Sequence, residues 1–309
     1  MVPFDPDGLL DDTTSAHARS VTRRDPSTVV VDETWLTARA DRRTSDGRRI
    51  VLADVRWYLD GRDGRTAYEA GHLPGAIWVD LDRHLAAHGL AATEGRHPLP
   101  EPDAFAMSMT ALGIDDDTVV VAYDDSGGLT AGRLVVMVRM LGRDAVLLDG
   151  GLRTWSGPLD GGGVEPEVAG TFTATPWPAE RIADTDTAAA TAADPERGVV
   201  LDARAPERFR GEVAVADPRP GHIPGARNAP WSSVLTADGR LRPAAVLHDH
   251  FAMLGVTDGA STIVSCGSGV SACLDLIALE IAGFGAGRLY PASWSGWSAD
   301  PDRPAALGA

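Results

Sequence analysis

A chain of 309 residues with 28 basic against 44 acidic side chains carries a formal net charge of -16, which argues against a nucleic-acid-binding protein or one held on an anionic membrane. Every basic residue is arginine, and the lack of lysine excludes Schiff-base chemistry, lysine-held pyridoxal phosphate and the phosphate-loop lysine. Two cysteines, Cys266 and Cys273, cannot build a disulfide framework or a Cys-rich zinc site, so neither a metal nor an organic cofactor is expected.

Residues 1–24 are polar, mixed in charge and aperiodic, and read as a mobile N-terminal tail. They show no basic n-region followed by an apolar core, so no signal peptide is expected, and no window of the chain is apolar enough to span a bilayer as a helix. The expectation is a soluble protein of the reducing cytoplasm, where a reactive thiol persists. A first domain is expected over 25–155. Apolar, β-branched runs at 29–31, 50–54, 117–122 and 145–148 predict short buried strands, and a helical run follows at 131–141. Between them lie the turn GHLPGA at 71–76 and the loop YDDSGG at 123–128. Strands alternating with helices predict an α/β layer with a mainly parallel sheet.

The pattern then restarts about 150 residues later. Residues 52–56 (LADVR) correspond to 201–204 (LDAR), and GHLPGA corresponds to GHIPGA at 221–226. A Gly- and Pro-rich linker at 156–180 separates the copies, and the second domain is expected over 181–309. Both GHxPGA segments read as architectural turns, with His72 and His222 in matching places.

In the second copy the stretch 262–276, TIVSCGSGVSACLDL, reads as a strand, a tight loop and a helix start. Loop amides and the helix dipole favour an anion at the centre, which should make the thiol of Cys266 nucleophilic as its thiolate. The first copy has Tyr123 or Asp124 where Cys266 stands, in an acidic loop about two residues longer. That loop is expected to be unable to gather an anion, leaving the second domain to do the chemistry. Cys273 reads as a buried core residue.

The tandem GHxPGA turns, the DGGLRTW segment at 149–155 and the run CGSGVSA at 266–272 resemble a two-domain rhodanese-family sulfurtransferase. The CGSGV loop is similar to that of the mercaptopyruvate-using branch. The resemblance implies α/β tandem rhodanese-like domains, each a mainly parallel sheet flanked by helices. It also implies a ping-pong reaction in which the Cys266 thiolate takes a sulfane sulfur and passes it to a thiol or cyanide. In thiosulfate-using members the two residues after the cysteine are basic; here they are Gly267 and Ser268, a neutral pair better suited to 3-mercaptopyruvate. Loop residues Gly267, Gly269, Val270 and Ser271, with the Ser268 hydroxyl, are expected to line the site.

For the donor carboxylate, Arg208 in APERFRG occupies the position of a substrate-binding arginine of the family, and Arg219 in DPRPGH resembles a second. Asp82 and His97 match positions that, with the loop serine, form a proposed Asp-His-Ser relay. Expected partners are a small-molecule donor and a thiol acceptor such as thioredoxin or a small thiol. The two fused domains suggest a monomer. A phosphatase of the same loop type needs an arginine six residues after the cysteine, where this chain has Ala272. Thiosulfate sulfurtransferase and a non-catalytic sulfur carrier are the remaining alternatives.

Overall fold

The computed structural model describes residues 29–164 and 169–308; the predicted tail at 1–24 lies outside them. The first domain contains a five-stranded, all-parallel sheet of β1 (Val30–Val31), β2 (Ile50–Asp54), β3 (Ile77–Trp78), β4 (Val119–Tyr123) and β5 (Ala145–Leu148), in the order β1-β5-β4-β2-β3. The second has four parallel strands, β6 (Val199–Asp202), β7 (Arg227–Asn228), β8 (Thr262–Ser265) and β9 (Arg288–Leu289), ordered β7-β6-β8-β9. A parallel bridge from Ile182 to Leu289 stands where β1 pairs with β5, so the second sheet retains the outline of the first. The central strands are buried throughout and mostly apolar because helices cover both sheet faces.

The two copies share a buried clamp. Arg56 pairs with Asp54 at 2.7 Å and donates to the Gly71 carbonyl at 2.7 Å; Arg204 does the same with Asp202 at 2.7 Å and Gly221 at 2.8 Å. This ties the strand end to the GHxPGA turn. His72 and His222 stack on Tyr68 and Phe209 and bond the carbonyls of those same residues, a turn-fixing role matching the architectural expectation.

The domains face each other through two helices, Ala131–Met140 and Ala272–Ile281, whose apolar residues belong to one continuous core. A second contact joins the segment at 92–97 to the helix Ser293–Ala299; Gly296 has no Cβ there because one would lie 2.5 Å from the Thr93 carbonyl. The linker lies against the first domain. Trp177 packs on Phe105 and donates to the Pro100 carbonyl at 2.8 Å, and Thr171 and Thr173 bond the Asp115 and Asp116 carboxylates.

Candidate active site

The duplicated sheet settles which residue of the first copy stands opposite the cysteine. Asp54 pairs in register with Tyr123 and Asp202 with Ser265, so Asp124 is the counterpart of Cys266. The first loop, 124–130, has seven residues and the second, 266–271, has six: the excess is one residue, not the expected two. The expectation that the acidic loop cannot gather an anion is also corrected. The Asp124 carboxylate accepts hydrogen bonds from the amides of Ser126, Gly128, Thr130 and Ala131, all at 2.8–2.9 Å, and from the Thr130 hydroxyl at 3.0 Å. That loop is an anion nest filled by its own side chain.

Deleting this carboxylate strands buried donors. Asp124→Ala is expected to cost about 3–5 kcal/mol of stability, checked by urea denaturation; a loss under about 1 kcal/mol would contradict the role assigned to it.

In the second copy Cys266 stands at the head of the matching loop, 1 % exposed. Its amide donates to the Ser293 hydroxyl at 3.0 Å, and its carbonyl and that of Gly267 accept from the amides of Trp294 and Ser295 at 2.9 Å each. The loop's outer rim is therefore pinned by the start of the Ser293–Ala299 helix. Among the described residues, none accepts a hydrogen bond from the amides of Gly267, Ser268, Gly269, Val270 or Ser271, donors that would otherwise require satisfaction. Gly269 takes φ +73, and a Cβ there would lie 2.6 Å from the Pro291 carbonyl, so both conformation and space demand glycine. Val270 is buried, and Ser271 precedes the helix without a side-chain cap bond.

From below, the fully buried Arg133 bridges the domains. It donates to the Gly269 carbonyl at 2.9 Å and to the carbonyls of Leu85 and His97 at 3.2 and 3.0 Å. One cation thereby holds both the loop and the segment carrying His97. Asp275, on the helix after the loop, has neither carboxylate oxygen hydrogen-bonded, and burial pushes its pKa well above the carboxylate range. Trp294 and Trp297 are core residues of the second domain, 1 % and 2 % exposed.

Asp82, His97 and Ser268 come together across the domain boundary. Nδ1 of His97 lies 2.8 Å from the Ser268 Oγ, and Nε2 lies 3.1 Å from Asp82 Oδ1. Trp57 donates to the other Asp82 oxygen at 2.9 Å and stands edge-on to the imidazole. Burial lowers the His97 pKa despite the Asp82 carboxylate, while the His97 hydrogen bond lowers that of Asp82. A neutral imidazole that donates through Nε2 to Asp82 leaves Nδ1 to accept the Ser268 proton.

Because the folded His97 pKa is depressed, the unfolded chain binds more protons just below pH 6.5, and His97 costs stability as pH falls through that window. Titration of the His97 imidazole by NMR should give a midpoint below about 6.5; a midpoint at or above it would contradict the arrangement.

The arginines divide differently from the expectation. Arg208 is at the loop: its Nη2 lies 3.1 Å, and its Nη1 3.6 Å, from where a Cβ on Gly267 would stand. Arg219 is not. Its guanidinium donates to the carbonyls of Ser298, Asp300 and Arg303 at 3.0, 2.8 and 3.0 Å, and its own carbonyl accepts from the Trp294 indole. It closes the C-terminal end of the last helix, where a cation meets unpaired carbonyls. Only Pro220 separates it from the anchored clamp at Gly221, which keeps it at that end.

The second cation beside Gly267 is Arg96, whose Nη2 lies 3.2 Å from the same Cβ position. It comes from the first domain, its amide held by the Ser295 hydroxyl at 3.0 Å. Sequence reasoning missed it; the only signal was its place directly before His97. Asp217 was missed as well. Its side chain is 1 % exposed and lies between Arg96 (3.2 Å), Arg204 (3.7 Å) and Arg208, which donates to its Oδ2. Among the described residues there is no cluster of His, Cys, Asp and Glu fit to hold a metal ion, and no helix long and apolar enough to cross a membrane.

The rhodanese-like domain family matches the chain twice, over residues 33–158 and 185–300. A Pseudomonas aeruginosa relative named "Probable 3-mercaptopyruvate sulfurtransferase" is 42% identical over 265 residues, covering 84% of this chain and 93% of the relative. A Mycobacterium tuberculosis relative named "Putative thiosulfate sulfurtransferase SseB" is 39% identical over 268 residues, covering 85% and 92%. The crystal structure of SseA from Escherichia coli, described among 3-mercaptopyruvate sulfotransferases, superimposes with a TM-score of 0.74 at 32% identity, covering 86% of this chain and 99% of that one.

Proposed function

From the premise that the chain belongs to the rhodanese family, carrying the domain twice, we propose that it is a sulfurtransferase that takes sulfur from 3-mercaptopyruvate. The observation that carries the reading is the pair of equivalent loops. Where one loop closes its amides around the Asp124 carboxylate, the other presents Cys266 to a ring of unpaired amides. Those amides are free to donate to an anionic group of the reacting donor, as the other loop's amides donate to the carboxylate.

In the first half-reaction the Cys266 thiolate attacks the donor sulfur. The carbon–sulfur bond breaks and its electron pair passes to the donor's C3 as the enolate of pyruvate. As charge develops on the donor's carbonyl oxygen, the Ser268 hydroxyl, held in place by His97 and Asp82, turns its single proton from His97 Nδ1 to that oxyanion. The proton that began on the donor thiol ends on C3, giving pyruvate and a Cys266 persulfide. An acceptor thiolate then attacks the outer sulfur, and Cys266 leaves as the thiolate.

Arg96 and Arg208 hold the donor carboxylate. Arg96 Nη2 and Arg208 Nη1, which lie 3.2 and 3.6 Å from the Gly267 Cβ position and have no hydrogen-bond partner among the described residues, supply one N–H each. Gly267→Ala would place a methyl against both guanidinium groups and is expected to raise KM for 3-mercaptopyruvate more than it lowers kcat; steady-state kinetics with a fixed acceptor tests this, and an unchanged KM would remove the pair from the site. The acceptor is a thiol, either thioredoxin or a small thiol, and the reading includes a reducing compartment that keeps Cys266 and Cys273 free.

The specific observation favouring thiosulfate as donor is the same arginine pair, since two guanidinium groups beside the thiol also suit a sulfur oxyanion, and one relative carries that name. The neutral Gly267-Ser268 pair and the His97–Ser268 contact, which serves a carbonyl rather than a sulfonate, favour mercaptopyruvate.

A further inference from the structure

Asp217 is a feature of the site that the sulfur-transfer reading does not use. Burying a carboxylate is unfavourable unless it is fully paired, yet this side chain is 1 % exposed on a segment whose neighbours Val213 and Val215 are exposed. Its placement is also strained. The preceding residue, Ala216, is a non-glycine at φ +57, a conformation that costs about 1–2 kcal/mol in an L-residue. The Ala216 carbonyl accepts from Arg96 and the Val215 carbonyl from Arg208 at 3.3 Å. The chain bends against its own preference to set one negative charge among three guanidinium groups.

Each fork serves Asp217 and the loop together. Arg96 gives Nη1 to Asp217 and sets Nη2 3.2 Å from the Gly267 Cβ position; Arg208 gives Nη2 to Asp217 with that same nitrogen 3.1 Å from the Cβ position, and its Nη1 at 3.6 Å, like Arg96 Nη2, has no hydrogen-bond partner among the described residues. Arg204 contributes the third cation. Its Nη2 is bound to Asp202, and its buried Nη1, without a hydrogen-bond partner, points at Asp217 from 3.7 Å. Three arginines against Asp202 and Asp217 leave this group one positive charge in excess.

Resting on the sulfurtransferase reading, we propose that Asp217 is a specificity-determining residue: it neutralises the inner side of the Arg96–Arg208 pair, so that the loop side accepts a monocarboxylate donor in preference to a doubly charged sulfur oxyanion. Without it the same forks would present two excess charges, and the dianion would gain more than the monoanion because attraction scales with the product of the charges. Asp217 touches no reacting atom and acts through the arginines.

The test is Asp217→Asn, which keeps the shape and an acceptor oxygen but removes the charge. The ratio of kcat/KM for thiosulfate to that for 3-mercaptopyruvate, with a common acceptor, is expected to rise at least tenfold. A ratio that stays constant or falls would overturn the proposal; a similar increase of KM for both donors is what a merely arginine-positioning residue would give. Asp217→Ser provides a second variant, with thermal unfolding of each checked against the parent.

A binding measurement separates this proposal from the reading on which it rests. Calorimetric titration of inorganic sulfate and of pyruvate into Cys266→Ser, with and without Asp217→Asn, needs no turnover. Sulfate is expected to bind at least tenfold tighter when Asp217 is replaced, with a smaller gain for pyruvate; equal gains, or none, would overturn the proposal even in a protein active on neither donor.

Discussion

Cys266→Ser is expected to abolish sulfur transfer from either donor, a loss of at least about a thousandfold in kcat. A serine oxygen in the same amide ring cannot carry the sulfane sulfur. The second thiol cannot substitute for the first. Cys273 lies buried on the helix after the loop, its Sγ against the Gly269 carbonyl at 3.4 Å, and burial pushes its pKa up to about 12. Acceptor-dependent turnover by Cys266→Ser, lost on further removal of Cys273, would contradict this division of roles. Intact-mass analysis after one turnover gives the complementary view: the parent protein gains the mass of one sulfur atom and the variant gains none.

Arg96→Ala and Arg208→Ala should each raise KM for 3-mercaptopyruvate with little change in kcat. Loss of one charge-assisted hydrogen bond is worth about 1.5–3 kcal/mol, which corresponds to roughly 10- to 150-fold. The reason is geometric: both guanidinium groups approach the same point beside Gly267, one from each domain. Since they serve one carboxylate and share Asp217, the double variant should lose less than the sum of the two. The sharper test is Arg96, because its backbone is fixed by Ser295 whether or not its side chain is present. An Arg96→Ala enzyme with unchanged KM would return carboxylate binding to Arg208 alone.

The parts of the molecule that sequence could reveal are those encoded locally. Alternating apolar runs and glycine turns disclosed the parallel α/β layers, and the recurrence of GHxPGA disclosed the duplication. The strand, loop and helix around Cys266 were legible because all three are written in fifteen consecutive residues. Asp82, His97 and Ser268 were named through family resemblance, since no local pattern announces a contact between residues 97 and 268.

What escaped was decided by tertiary placement. Arg96 is indistinguishable in sequence from a solvated arginine, and its function follows from the packing of the 92–97 segment on the last helix. Arg219 was singled out because a cation near the right turn looks like a ligand, whereas the three carbonyls that its guanidinium bonds lie some eighty residues away along the chain. Asp124 shows the same limit in reverse. Its charge suggested an anion-repelling loop, but the carboxylate folds back into the nest and becomes the anion.

The central claim, that the amide-lined Cys266 loop with its arginine pair serves a monocarboxylate sulfur donor, is tested most directly by comparing the two donors on the unmodified protein with one common acceptor. A kcat/KM for 3-mercaptopyruvate well above that for thiosulfate is the predicted result; a value for thiosulfate equal to or higher than that for 3-mercaptopyruvate would contradict it.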